Sequence, residues 1–314
     1  MKRKSILVTG GSGFIGANLV RALIREKHDV HIVTRTTSNL WRLHEVQRVI
    51  RIHKTDYTDS DGIRRIVSKI KPTLIYHLAA FGNYHTQRDL YTMIHSNILF
   101  TAYLLTALQT TAYELFVYLG SSSEYGFKTT PMKESDVLEP NSFYAATKAC
   151  ATYISQVYAK LYKKPIVVVR PFSVYGPFEE TTRLIPTVIL SCLKNRAILA
   201  TNGDEMRDFI YVGDLVDSLL MIHKLKKLPG EIINIGSGKQ YSTREIVTTI
   251  HALLKSKSII KWGVYPSHYW DTSFWQADTT VARKKLGWTA RYALKKGLTE
   301  TIEWFKKHNY NYEK

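Results

Sequence analysis

Short apolar runs alternate with amphipathic stretches through the first half of the chain. Ile6-Leu7-Val8, Val30-His31-Ile32-Val33, Thr73 to Leu78, Leu115 to Leu119 and Ile166 to Val169 have strand length and are rich in β-branched and aromatic residues. Between them, Phe14 to Glu26, Ile63 to Ile70, Ser96 to Leu108 and Tyr144 to Leu161 space their apolar residues at helical intervals. Continuously apolar strands alternating with helices predict an α/β fold, a doubly wound parallel sheet covered on both faces. After Pro171 the alternation loosens, although Phe209 to Leu225 and the strand Ile232 to Ile235 still read as pieces of the first lobe. No Pro- or Gly-rich linker intervenes. The expected organisation is one domain of residues 1–170 plus about 209–235, with a smaller interwoven C-terminal lobe of 171–208 plus 236–314.

Composition narrows the class. Hydrophobic residues at 45% and charged residues at 22% exclude a disordered or fibrous chain. No apolar run approaches the roughly 18 residues that span a bilayer, so no membrane partner is expected. The basic start Met1-Lys2-Arg3-Lys4-Ser5 leads into an apolar run that breaks after Val8 into a Gly-rich loop, which predicts a buried first strand and no targeting signal. The two cysteines, Cys150 and Cys192, form no disulfide framework, and a cytoplasmic location is expected. The formal charge of +18 comes from Lys and Arg scattered along the whole chain, with no aromatic interleaving, so nucleic acid is not an expected partner. Such a field favours anionic small ligands. No metal is expected.

The segment Thr9-Gly10-Gly11-Ser12-Gly13-Phe14-Ile15-Gly16 follows the first strand directly and opens the first helix. Gly10 permits a tight turn, Gly13 lets backbone approach a pyrophosphate, and Gly16 lets the helix pack closely on the strand. Free N–H groups at the helix start, from Ser12 through Phe14 and Ile15, then face the phosphates. Glycines alone would suit any turn. The strand before, the helix after and a second strand about 20 residues on are the context of a dinucleotide-binding Rossmann domain. A carboxylate at the end of the second strand would bind ribose hydroxyls and repel a 2′-phosphate. This chain has Val33-Thr34-Arg35 there, so Arg35, with Arg42 as a second charge, favours NADP(H), while NAD(H) stays possible. A solvated surface arginine is the plainer alternative. Asp56 is placed either to accept from an adenine amino group or to form a turn.

Tyr144 and Lys148 stand four apart on a predicted helix, hence on one face. A tyrosine acting as general acid/base near neutral pH needs its pKa lowered, and a neighbouring ammonium does that. The strand ending Leu119-Gly120-Ser121 adds a hydroxyl.

Taken together, these motifs resemble those of the extended short-chain dehydrogenases/reductases, in their NDP-sugar epimerase/dehydratase/reductase branch. The matching pieces are the glycine loop, His77-Leu78-Ala79-Ala80, Ser121 to Gly126, Tyr144 to Lys148, Arg170 to Pro177, Arg207 to Asp214 and Lys285-Leu286-Gly287-Trp288. The resemblance implies a nucleotide-sugar held between the lobes, with Ser121, Tyr144 and Lys148 catalytic. Ser121, counted back four residues from Tyr125, would bind the sugar oxygen that becomes a carbonyl; a strand-end turn serine is the alternative. The resemblance also implies cofactor contacts at Leu78, Ala79, Ala80 and Pro171, and substrate contacts at Ser122, Ser123, Ser173, Arg183 and Arg207. It implies a homodimer through the Ser96–Leu108 and Tyr144–Leu161 helices. Two departures stand out: Ser173 where Asn is frequent, and Tyr269 to Asp278 with no arginine for the diphosphate, for which Arg183 can compensate. The Trp-rich run there could line a pocket or pack the lobe.

The residues after Ser121 bear on the reaction. A 4,6-dehydratase carries an acid pair, or at least a Glu, there; this chain has Ser122 and Ser123, with Glu124 one place off. On an extended segment one place turns a side chain to the opposite side. The expected activity is NADPH-dependent reduction of the C4 ketone of an NDP-4-keto-6-deoxyhexose. The alternative is a 4-epimerase that retains NAD. A 4,6-dehydratase or a non-catalytic dinucleotide sensor fits less well.

Overall fold

The computed structural model describes residues 3–84, 86–223, 229–266 and 270–308. Met1, Lys2, Leu225, Tyr269 and residues 309–314, on which parts of the expectations above fall, lie outside them. The strands are β1 (Ser5–Thr9), β2 (Asp29–Thr34), β3 (Arg51–Lys54), β4 (Leu74–His77), β5 (Leu115–Leu119), β6 (Ile166–Pro171), β7 (Ser173–Tyr175), β8 (Ile198–Leu199), β9 (Met206–Arg207), β10 (Phe209–Tyr211), β11 (Glu231–Ile235), β12 (Tyr241–Ser242) and β13 (Ile260–Lys261). The helices are α1 (Phe14–Arg25), α2 (Ser60–Ile70), α3 (Leu90–Met93), α4 (Phe100–Ala107), α5 (Phe143–Leu161), α6 (Leu184–Leu193), α7 (Val212–Ile222), α8 (Thr243–Leu253) and α9 (Leu294–His308).

Contacts divide the chain into two compact units. The first comprises Met1–Gly126, Asp136–Pro171 and Val216–Ile233; the second comprises Phe127–Ser135, Phe172–Leu215 and Asn234–Lys314. Among the described residues, the main sheet has seven strands in the order β11-β6-β5-β4-β1-β2-β3. β1 pairs in parallel with both β2 and β4, so Ile6 sits level with Val30 on one side and Leu74 on the other. The chain therefore runs outward from β1 to β3, returns to β4 and continues the other way. That reversal is the topological switch point of a doubly wound α/β sheet, where ligands bind beyond the carboxyl ends of the strands.

Side-chain alternation sends Ile32 toward α1 and Val33 to the opposite face. There Leu7, Val33, Ile75, Phe116 and Val168 pack with Ile63 and Val67 of α2, Phe100, Leu104 and Leu105 of α4, and Ala151 of α5. Burying each of the larger of these side chains contributes roughly 1.5–3 kcal/mol. The helix expected over Ser96 to Leu108 is not uniform: α3 runs into a π-helical turn, Ile94–Leu99, and only then into α4. Asn97 lies within this turn. Its amide accepts from Phe81 N and donates to Phe81 O, both at 2.8 Å, so this turn carries a bond to another segment.

In the second unit Tyr175, Ile185, Val188 and Ile189 pack against Ile246, Val247 and Ile250 and against Leu298, Ile302 and Phe305. Among the described residues it holds three two-stranded pairs: β7 with β10, β9 with β12 and β8 with β13. The sheet piece expected from Phe209 is β10, which joins β7 rather than the main sheet. Asp208 explains the separate pairing. Its buried carboxylate accepts from Ser237 N at 2.7 Å, Gly238 N at 3.0 Å and Ala277 N at 3.1 Å, tying the start of β10 to its own unit. No helix among the described residues is long and apolar enough to cross a membrane.

Candidate active site

At the switch point, the backbone after β1 turns at Gly10, whose φ is +69°. A Cβ on Gly10 would lie 2.6 Å from Ala79 N and 2.7 Å from Leu78 C, so Leu78 and Ala79 at the end of β4 pack directly on the glycine turn, with Ala80 next in the chain. Thr9 fastens them: its carbonyl accepts from Leu78 N at 3.2 Å and its hydroxyl from Ala79 N at 3.3 Å. A Cβ on Gly16 would lie 2.1 Å from Gly10 O, which holds the first turn of α1 against the loop. Gly13 is the N-cap residue and makes no side-chain cap, and the first turn of α1 contains no acid. Gly13 is exposed, and a Cβ there would enter the loop's mouth 3.3 Å from Gly10 O. Ser12, Phe14 and Ile15 border this open helix start, half-buried. Uncapped N–H groups with the positive end of the helix dipole suit a pyrophosphate. The residues present fit a dinucleotide.

The selector positions at the sheet edge are more varied. Arg35 follows β2, is exposed, and lies 5.7 Å from the Tyr57 ring centroid. Arg42, expected to add a second charge, is instead buried and stacked 4.6 Å from the Trp41 ring centroid. Asp56 is exposed, and its Oδ1 accepts from Thr58 N at 2.9 Å and Thr58 Oγ1 at 2.7 Å. That oxygen serves a turn, and the Thr58 bonds hold the Asp56 pKa below its usual range.

Ser142 caps α5 by accepting from Ala145 N at 3.2 Å, which sets Tyr144 and Lys148 in its first turns. Thr147 Oγ1 donates to Tyr144 O at 2.9 Å and accepts from Asn97 Nδ2 at 2.9 Å. Asn97 and Thr147 thus hold the turn that carries the tyrosine, and nothing local in the sequence signals that pairing. Tyr144 is half-buried; Lys148 is buried, donates through Nζ to Leu119 O at 2.5 Å, and lies 4.3 Å from the Tyr118 ring centroid. Burial pulls the Lys148 pKa down to about 8, against the opposing charge of Glu124. His77 accompanies them in the interior. Its Nδ1 shares a proton with Thr9 Oγ1 at 2.6 Å and its Nε2 with Thr101 Oγ1 at 2.9 Å.

The segment after Ser121 is not extended: Ser122–Tyr125 is a 3₁₀ turn. Ser121 is its N-cap, with Oγ accepting from Ser123 N at 3.1 Å, while Glu124 Oε1 accepts from Ser121 N at 2.8 Å. This reciprocal pair is a capping box, whose S-x-x-E signature stands in the sequence. Glu124 Oε2 accepts from Arg170 Nε at 2.8 Å and Thr152 Oγ1 at 2.9 Å. Ser122 is buried and Ser123 half-buried on the same turn; Pro171 ends β6, buried.

The remaining sequence candidates lie in the second unit. Ser173 opens β7, its N–H donating to Asp208 O at 2.9 Å. Arg183 caps α6 and sits 3.8 Å from Glu179. Burial pushes the Glu179 carboxyl up to about 8. Arg207, on β9, bonds Asp271 at 3.1 Å, stands 5.3 Å from the Trp275 ring centroid, and has its pKa lowered by burial and, less strongly, by the charge of Arg183. The two guanidiniums therefore feel each other's charge, and Trp275 of the Trp-rich run lies beside Arg207.

Known proteins resemble this chain over nearly its whole length. The chain matches a UDP-glucuronate 4-epimerase of Thermodesulfobacterium geofontis at 31% identity, over 96% of this chain and 96% of that one. It matches human dTDP-D-glucose 4,6-dehydratase at 27% identity, over 99% of this chain and 92% of the other. Among solved structures, the UDP-glucuronic acid 4-epimerase of Bacillus cereus, in complex with UDP-glucuronic acid and NAD, superposes with a TM-score of 0.87 at 26% identity, covering 96% of this chain and 99% of that chain. Residues 6–236 match the model of the NAD dependent epimerase/dehydratase family. With the doubly wound sheet and its glycine turn, the match across most of the chain makes this protein a member of the NAD dependent epimerase/dehydratase family.

Proposed function

We propose that the protein reduces the C4 ketone of a nucleoside-diphosphate 4-keto-6-deoxyhexose with NADPH. One observation carries this reading: Glu124, the carboxylate of the Ser121–Gly126 segment, is consumed by Ser121 N, Thr152 and Arg170, and its neighbours are serines. A hydroxyl elimination needs a carboxylic acid at that turn, and a serine hydroxyl is a poor substitute. The chemistry left to the turn is proton exchange at a carbinol or carbonyl.

Glycines 10, 13 and 16, the start of α1 and Leu78 to Ala80 would hold the dinucleotide, with Arg35 at a 2′-phosphate. When bound, the reduced nicotinamide supplies the hydride. Tyr144 donates the phenolic proton to the carbonyl oxygen as the alcohol forms. Lys148 stabilises the phenolate left behind and would help hold the nicotinamide ribose. One lone pair of Ser121 Oγ accepts from the Ser123 amide, which leaves its proton to orient the substrate oxygen. Arg183 and Arg207 would meet the diphosphate. A net reductase exchanges its cofactor every turnover, and the missing acid after β2 supports NADPH as that cofactor. A cytoplasmic homodimer accompanies this reading.

The experiment is oxidation of NADPH and of NADH by purified protein over a panel of NDP-4-keto-6-deoxyhexoses, followed by nicotinamide absorbance. NADPH oxidation that Tyr144→Phe lowers by about 100-fold or more is the expected result. The second reading, a 4-epimerase, is favoured by the 31% identical relative. No net oxidation with any sugar, and NAD released on denaturing the protein, would establish it.

A further inference from the structure

Glu124 is a fully buried carboxylate that the reaction above does not use, yet every partner it has leads to the catalytic group. Through Oε1 it holds the Ser121 amide at 2.8 Å, and through Oε2 it holds Arg170 and Thr152. Thr152 lies four residues beyond Lys148 on α5, so both side chains leave the same face of the helix. Arg170 in turn lies 4.6 Å from the ring centroid of Tyr125, which closes the 3₁₀ turn from its far end. Gly120 makes room for the carboxylate, since a Cβ there would lie 2.6 Å from Glu124 Oε1.

We infer that Glu124 is a positioning residue for this reaction: its carboxylate aims the Ser121 hydroxyl and sustains the Lys148 ammonium from behind the site. This rests on the roles proposed for Ser121, Tyr144 and Lys148. The aiming follows from the capping box. Ser121 N is bound to Glu124, and Ser121 Oγ accepts from Ser123 N, so two of its polar groups are fixed and only the hydroxyl proton is left to donate. The second effect is charge. Buried Lys148 lies over Tyr118 of β5 and shares its electrostatic surroundings with His77 of β4 and with Glu124; Tyr144, Cys150, Glu124 and Arg170 act in turn on Tyr118. Within that set Glu124 is the one carboxylate, and it opposes the burial that depresses the lysine.

Two variants separate the effects. Glu124→Gln keeps the shape and an acceptor for Ser121 N but removes the charge. Glu124→Asp keeps the charge but withdraws the carboxylate from the Ser121 amide by one methylene. In Glu124→Gln, kcat falls and the alkaline limb of its pH profile moves about one unit or more toward lower pH, because the ammonium loses its counter-charge. In Glu124→Asp the limb stays where the wild type has it, kcat falls about 10-fold to 100-fold with little change in KM, and the Ser121 amide exchanges hydrogen faster while β5 amides do not. The inference is overturned by a folded Glu124→Gln protein with the wild-type kcat and alkaline limb, or by an unchanged Ser121 amide in Glu124→Asp. If the wild type turns over no sugar, the proposed function fails on its own, and amide exchange at Ser121 still decides the inference. Thr152→Val, which removes one bond and no charge, serves as the control for packing: a limb displaced as far as in Glu124→Gln would also overturn it.

Discussion

Gly16 lies against Gly10 so closely that a single added carbon on Gly16 would sit 2.1 Å from the Gly10 carbonyl oxygen. Every atom the added carbon would meet belongs to the backbone of Gly10 and Gly11, so no side chain can move aside. Gly16→Ala must therefore push α1 away from the loop or twist the loop itself. The expected cost is about 1–3 kcal/mol of stability. Affinity for the dinucleotide should fall by more than stability alone implies, because the displaced N–H groups are those that meet the phosphates. Thermal unfolding with nicotinamide fluorescence titration measures both, and full affinity in a folded variant would contradict the loop's assigned part.

Arg35 is exposed at the end of β2, with no acid beside it in the strand. Arg35→Asp should weaken NADPH binding by about 10-fold or more and leave NADH binding level or improved, as expected for loss of a charge-assisted bond. Dissociation constants for the two reduced cofactors, measured side by side, test this. A wild type that binds both equally would remove the basis for NADPH.

His77 is held neutral by burial and, second, by the Lys148 charge, with its pKa down from the usual 6.5 to about 3. The unfolded chain picks up this proton as pH falls below about 6.5, whereas the folded chain refuses it until about 3. The sign follows: stability from this group is full above 6.5 and drains as pH falls toward 3. His77→Asn keeps a donor and an acceptor but does not titrate. It should be less stable at neutral pH, by about 1–3 kcal/mol, with a shallower loss of Tm on acidification. Equal slopes for the two proteins would show that other groups govern the acid limb.

Tyr153, Val157 and Leu161 recur every four residues on α5 with 54%, 61% and 67% of their surfaces exposed. A stripe of this kind on one helix face suits the interface of the proposed dimer. Val157→Glu should leave the fold intact and convert the proposed dimer to monomer in light scattering at micromolar concentration. A wild-type protein already monomeric there would dismiss the homodimer.

The sequence was most legible where the physics is local. Parallel strands buried on both faces print themselves as unbroken apolar runs, and Ile6 to Val8 or Leu115 to Leu119 needed nothing else. Arg51 to Lys54 is a strand at the sheet edge, partly exposed and half basic, so it carries no such mark. The two-residue strands of the second unit are shorter than any period that could reveal them. The same rule holds at the candidate site. The glycine turn and the Tyr144–Lys148 spacing are chain-local patterns. Asn97 with Thr147 and Arg170 with Glu124 are pairs 50 and 46 residues apart, and only the fold brings them together. The Ser121-x-x-Glu124 cap was readable from one line of sequence, but its helical turn replaced the extended segment assumed there.

Strand β11 completes the edge of the main sheet beside β6, yet the chain between them is spent largely on the second unit. A ribosome therefore releases β1 to β6 well before their last neighbour exists. Through that interval β6 offers an open edge of unpaired amides and carbonyls, a template for wrong partners. The nascent first unit is thus most exposed to misassembly after Pro171 has emerged and before Ile235 has followed, which makes that stretch the place where a chaperone or a pause in translation would matter most.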